Sequence, residues 1–172
     1  MSIKDGLTGK ILRVDLTHGK VTTESLDANT VHQFLMGTGY AAKILWDELE
    51  AGTDPLGEKN KLLLSTGILT ATGCPGSDSL FACFKSPLTG CWGEARCGGG
   101  MGVELKKAGF DIVIVEGASA NPVYVSIRDS EAQIRPADHL WGKPVPETQE
   151  TLKAEFDDQK SRVICIGPAG EK

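Results

Sequence analysis

The feature that most constrains this chain is a glycine cluster set directly before its most β-branched run. Gly98-Gly99-Gly100-Met101-Gly102 leads into Val103 to Ala108, then Gly109, then Phe110-Asp111-Ile112-Val113-Ile114-Val115-Glu116. Branched side chains fit a pleated surface packed on its faces, so the last run predicts a central strand. The stretch before it predicts a short helix with Gly109 as its C-cap. A Gly-rich turn, a helix and a buried strand in that order call for layers of helix and sheet. There are 21 glycines in 172 residues, well above the usual ~7%, so the backbone must turn tightly or approach something closely at many points.

The remaining patterns supply the other elements. Lys10 to Asp15 and Val21 to Leu26 alternate apolar and polar residues around the turn Thr17-His18-Gly19-Lys20, which predicts an opening hairpin. Asn29 or Thr30 is placed to cap a helix bearing Val31, Phe34 and Leu35; a second helix over Tyr40 to Glu50 carries Ala41, Ile44, Leu45 and Leu49 as a buried stripe. Strands are predicted over Lys61–Ser65, Leu80–Phe84, Cys91–Ala95 and Arg162–Ile166, with a hairpin of Val123–Arg128 and Ala132–Arg135. Thr70 to Ser77 is small, polar and turn-rich, a long loop, and Thr148 to Phe156 reads as an amphipathic helix. The predicted class is α+β: β-sheets with a few packed helices. Gly37-x-Gly39, a helix and Ala51-Gly52 echo Gly98-x-Gly100, a helix and Ala108-Gly109, which suggests a duplicated β-α-β unit.

Composition narrows function by exclusion. With a net charge of −5 and no Lys/Arg run longer than two, the chain lacks the basic surface that nucleic acid or an anionic membrane requires. No ~18-residue apolar stretch is present, and Met1 to Gly6 lacks the apolar core of a signal peptide. The expected compartment is the cytoplasm. Cys74, Cys83, Cys91 and Cys97 are clustered, but their spacings of eight, seven and five intervening residues match no zinc or ferredoxin-type pattern. With Cys165 they read as reduced thiols rather than metal ligands. His18, His32 and His139 have no acid–nucleophile pattern nearby and read as structural or surface residues.

A run of glycines lets backbone N–H groups crowd toward a ligand with no side chain in the way. Before a helix it also suits an anion, and Arg96 beside it offers a bidentate phosphate contact. Glu116 lies near the ~20-residue distance of a dinucleotide-binding acid, yet no complete G-x-G-x-x-G and no Walker A sequence occurs. The glycines by themselves indicate only a generic anion-binding turn, or a Gly-rich corner with no ligand.

They do not stand by themselves. Lys85-Ser86-Pro87-Leu88-Thr89-Gly90, then Gly98-Gly99, then Gly102-x-Glu104-Leu105-Lys106-x-Ala108-Gly109-x-Asp111 resembles the signature of the aldehyde:ferredoxin oxidoreductase family. The likeness extends to Gly9–Leu16, Asp54-Pro55-Leu56, Val115-Glu116-Gly117, His139–Lys143 and Ile166–Glu171, nearly the whole chain.

That resemblance implies one N-terminal, pterin-cradling domain over residues 1–172, a fragment or half of a longer or split enzyme. Its cofactor would be a tungsten, or molybdenum, bis-pyranopterin. The implied cofactor-binding residues are Ser79, Arg96, Cys97, Gly98 and Gly99, with no catalytic residue and no metal ligand in this chain. Relatives often carry Arg at the position of Ser79 and Asn at that of Arg96, so Arg96 is expected to restore the cation from the opposite side. The [4Fe–4S] ligands of the family are absent here, so the chain alone is not expected to be active. The implied reaction of the intact enzyme is aldehyde to carboxylic acid, with electrons passed to ferredoxin. The implied partners are the remaining domains or a companion chain, ferredoxin and a second copy in a homodimer. The alternatives are a related tungsten reductase acting on an aromatic thioester, and a stand-alone binding domain without catalysis.

Overall fold

The computed structural model describes residues 6–171; Met1 to Asp5, read above for a leader, and Lys172 lie outside them. The chain opens as predicted, with β1 (Lys10–Asp15) and β2 (Lys20–Ser25) paired antiparallel. Helices α1 (Ala28–Phe34) and α2 (Thr38–Glu48) follow. The cap of α1 is Asp27, not Asn29 or Thr30: its carboxylate accepts from the backbone N–H of both. Next come β3 (Lys61–Thr66), the hairpin β4 (Leu80–Lys85) and β5 (Trp92–Cys97), helix α3 (Met101–Lys107), β6 (Ile112–Glu116), the hairpin β7 (Val123–Arg128) and β8 (Glu131–Pro136), and α4 (Val145–Glu155). Asp129 and Ser130 both have positive φ, 51° and 68°, the geometry whose twist suits a two-residue hairpin turn.

Six strands form one sheet in the order β2-β1-β6-β3-β4-β5, with β7-β8 a separate ribbon. The β-branched strand is central, as its composition demands. β6 runs parallel to β1 on one side and antiparallel to β3 on the other. Side chains alternate between two faces, so each strand feeds two cores. On one face Ile11, Leu63, Cys83, Ile112 and Ile114 pack under Tyr40, Ala41, Ile44 and Leu45 of α2. On the other, Leu12, Val14, Leu80 and Val113 pack against Leu105 and Phe110, with Val125, Ile127 and Ile134 of the ribbon above them. Each fully buried aliphatic side chain contributes about 1.5–3 kcal/mol.

The internal echo is visible as a hairpin, helical segment and strand occurring twice, with two helices in the first half and one in the second, and it leaves a strand order that reads alike from either edge. The halves are thus ββααβ and ββαβ rather than β-α-β, and β1 runs parallel to β6 whereas β4 runs antiparallel to β3, so the two do not superpose as a strict repeat. The strand expected over residues 162–166 does not form. That segment instead lies along α4, where Val163 packs with Leu152 and Phe156 and its carbonyl accepts from Gln149 Nε2 at 3.2 Å.

A close approach explains one glycine of the signature. A Cβ on Gly102 would stand 2.8 Å from the carbonyl oxygen of Ser79, so only glycine lets the first turn of α3 rest on the start of β4. Helix α3 is thereby fixed against the strand that carries the cleft described next.

Candidate functional site

At the end of β3 the chain leaves the sheet through Gly67 and returns only at Leu80. This long loop, the α1–α2 junction, the start of β4 and the end of β5 line a cleft of about 440 Å³. Its apolar lining includes Leu35, Ile68, Leu69 and Phe81, and Ser79 and Arg96 border it beside the Phe81 ring. The sequence pairs Ser79 and Arg96 only by their departures from a pattern. The fold puts them in contact: Arg96 Nε donates to Ser79 Oγ at 2.8 Å. The register explains the meeting, since Phe81 stands opposite Arg96 and Ser79 precedes it on the same face.

Arg96 is held by its inner nitrogen, and its guanidinium carbon lies 5.7 Å from the centre of the Phe81 ring. No carboxylate lies within ion-pair distance of it among the described residues. In a chain with 23 acidic residues, this arginine rests instead on a serine hydroxyl and an aromatic face, the kind of cation that carboxylates and phosphates engage.

The Gly98-Gly99 turn follows immediately. Space beside Gly99 is open, with nothing within 4 Å of where a Cβ would stand. Its N–H donates to the carboxylate of Asp78 at 3.2 Å, so part of the turn's capacity for an anion is taken within the chain. Cys97 stands opposite Leu80 on the face of the sheet away from Arg96, so only its backbone borders the turn. The structure thus brings Ser79 and Arg96 into one cleft, places Gly98 and Gly99 next to it, and turns the Cys97 side chain away.

The clustered cysteines do not converge. Cys83 is buried in the α2-side core, Cys91 lies at the β4–β5 turn and Cys74 in the long loop. Burial, with the Glu94 carboxylate, pushes the Cys83 thiol up to about 12. His18 is tied to Asp15 at 2.7 Å and His139 to Glu155 at 3.3 Å, both on the surface and far from the cleft in the chain. Glu116 is engaged within the chain: it pairs with Arg13 at 3.2 Å and with Lys61, closing a network that also includes Glu48 and Glu24. A second cavity of about 350 Å³ beside this network is lined largely by charges paired with one another, among them Lys61 with Glu48 and Glu116 and Lys59 with Glu50.

Sequence reasoning missed the apolar wall. Leu35, Ile68, Leu69 and Phe81 come from three segments, and no local pattern says that they meet. It also missed Lys106 and Asp111, both quoted within the signature. Lys106 Nζ donates to the Gly6 carbonyl and, at 3.3 Å, to that of Ile68, which ties the cleft wall to the sheet.

Among the described residues no helix is long and apolar enough to cross a membrane. A six-stranded mixed sheet with helices on both faces and a cleft at one end defines an α+β domain. The chain belongs to the family described as the N-terminal domain of aldehyde ferredoxin oxidoreductase, whose profile matches residues 11–172. The tungsten-containing aldehyde ferredoxin oxidoreductases of Pyrococcus furiosus and Thermococcus kodakarensis are 40% and 42% identical to it over 166 residues. Each match covers 96% of this chain and 27% of the relative, so the chain spans about a quarter of their length. A solved structure described as the active site complex BamBC of benzoyl coenzyme A reductase with 1,5-dienoyl-CoA aligns with a TM-score of 0.94 at 36% identity. That alignment covers 96% of this chain and 25% of the solved one.

Proposed function

We propose that this domain forms one side of the binding site for a tungsten (or molybdenum) bis-pyranopterin in an aldehyde-oxidising enzyme. The single observation carrying this reading is Arg96: a guanidinium pinned by Ser79, without an acidic partner among the described residues, lining a cleft two residues before Gly98-Gly99 in the chain. The residues fit such a group. Arg96 and Ser79 offer a cation and a hydroxyl to an anionic arm, and the backbone of Cys97, Gly98 and Gly99 borders open space that a side chain at Gly99 would fill. The apolar wall suits the flat part of a heterocycle. When bound, the metal–pterin centre supplies the two-electron redox chemistry; this chain's residues bind and orient it.

Relatives named as tungsten-containing aldehyde ferredoxin oxidoreductases support an aldehyde as substrate and ferredoxin as acceptor. The remaining polypeptide of such an enzyme would carry the [4Fe–4S] cluster, and this domain alone would turn over no aldehyde. A cytoplasmic location and a homodimeric assembly complete the reading. The second reading, a reductase of an aromatic thioester, is favoured by the likeness to the benzoyl coenzyme A reductase complex, though its 36% identity is below that of the aldehyde enzymes.

The test compares wild type and Arg96→Ala in the complete enzyme, purified anaerobically. Tungsten and molybdenum are measured by mass spectrometry and pterin by the fluorescence of its oxidised extract. A several-fold loss of both in the variant is expected. Full content in the variant removes Arg96 from the site, and a wild-type enzyme without either metal overturns the reading.

A further inference from the structure

Leu35 stands in a backbone conformation that its side chain disfavours. It terminates α1 at φ 60°, ψ −158°, a region that is essentially glycine's. The backbone on each side is pinned: Leu35 N–H donates to the Val31 carbonyl at 2.9 Å, and Gly37 N–H to that of Thr66 at 3.0 Å. Burial does not recover the cost, because Leu35 is 61% exposed. Its side chain lines the cleft, and so does that of Leu69, itself 56% exposed. Two residues after Leu69 comes Ala71, another non-glycine residue with positive φ, 63°. Glycine would satisfy either backbone without strain, as it does at Gly37, Gly73 and Gly76 in the same segments.

Strain at a solvent-exposed leucine has no benefit to the free domain. Non-glycine residues in sparsely populated regions cluster at ligand clamps, where binding recovers the cost. We infer that Leu35 and Leu69 form an apolar lip that clamps the flat heterocycle of the ligand whose anionic arm lies at Arg96. This rests on the reading of the cleft given above. A cleft of about 440 Å³ falls within the range of small-molecule sites of ~300–1,000 Å³. Its lining combines a cation without an ion-pair partner among the described residues and two exposed leucines, so the complementary ligand is anionic at one end and presents a flat ring face to the leucines. Leu35 is then a positioning residue: it holds the ring face and takes part in no chemistry.

Leu35→Gly separates this role from a structural one. In the complete enzyme stripped of cofactor, the melting midpoint of Leu35→Gly is expected to equal or exceed that of wild type, because the strain is relieved and little burial is lost. Its content of tungsten and pterin after purification is expected to fall several-fold. Leu35→Ala, which keeps the strain and removes the lip, should lose cofactor as well without a raised midpoint. Unchanged cofactor content in Leu35→Gly overturns the inference, and so does a clearly lowered midpoint of the stripped protein, which marks Leu35 as a packing residue. If Arg96→Ala also keeps its full content, the reading of the cleft fails with it. If Arg96→Ala loses cofactor while Leu35→Gly keeps it, only the lip is wrong.

Discussion

Lys106 Nζ and Asp111 Oδ1 stand 3.5 Å apart with both side chains fully buried. Asp111 accepts through its other oxygen from Thr8 N, Thr8 Oγ1 and Gly9 N at 2.9, 2.7 and 2.8 Å. Lys106 reaches the carbonyls of Gly6 and Ile68. One ion pair therefore joins the entry to β1, helix α3, the start of β6 and the wall of the cleft.

Removing one member of a buried pair strands the other, at about 3–5 kcal/mol. Asp111→Ala should reach that range, since it leaves a buried ammonium and three unpaired donors. Lys106→Met should cost less, because Asp111 keeps its three hydrogen bonds. Burial holds the Lys106 ammonium below its ordinary value of 10.5. Between the folded value and 10.5 the unfolded chain binds more protons, so this lysine's contribution to stability rises with pH. Denaturant titration of both variants and wild type at several alkaline pH values checks the order and the slope; equal losses from the two substitutions would contradict it.

The five cysteines should divide by environment rather than by sequence proximity. Cys83 is buried, with its thiol pushed up to about 12, so almost no thiolate forms at neutral pH. Cys74, Cys91 and Cys97 are exposed. In the folded 172-residue chain, iodoacetamide at pH 8 should modify these three while Cys83 stays unmodified until denaturant is added. Peptide mass mapping reads the result, and early labelling of Cys83 would refute the packing assigned to β4.

Helix α1 should respond to acid through its cap. Hydrogen bonds from the Thr30 hydroxyl, then from the Thr30 and Asn29 backbone, hold the Asp27 carboxyl below its ordinary 3.8. The folded value lies under the unfolded one, so the stabilisation is fully present above 3.8 and disappears as pH falls through the depressed value. Amide exchange at Val31 and Leu35 should accelerate in that window. Asp27→Asn keeps an acceptor without the charge, and its exchange should lack the acid step.

Most of the elements were legible in the sequence, because their signals are local. The β-branched run marked the central strand β6, and the alternation in Lys10–Asp15 gave β1. The 162–166 segment misled for the same reason: its apolar alternation is real, but it packs on α4 and pairs with no strand among the described residues. Asp27 was overlooked because the cap lies outside the helix it serves.

The sequence by itself determined the family, since the signature from Lys85 to Asp111 and its flanking segments recur in order. What only the tertiary structure decided is the cleft. Arg96 meets Ser79 across a strand pair, and Leu35, Ile68 and Leu69 converge from different segments. The physical reason is range. A helix period or a strand alternation is set by neighbours in the chain, whereas the partners of a guanidinium depend on register and on loops that pack far apart in sequence. The same holds for Lys106 and Asp111: both are visible in the signature, but that they form the buried link beneath the cleft wall is a fact of packing alone.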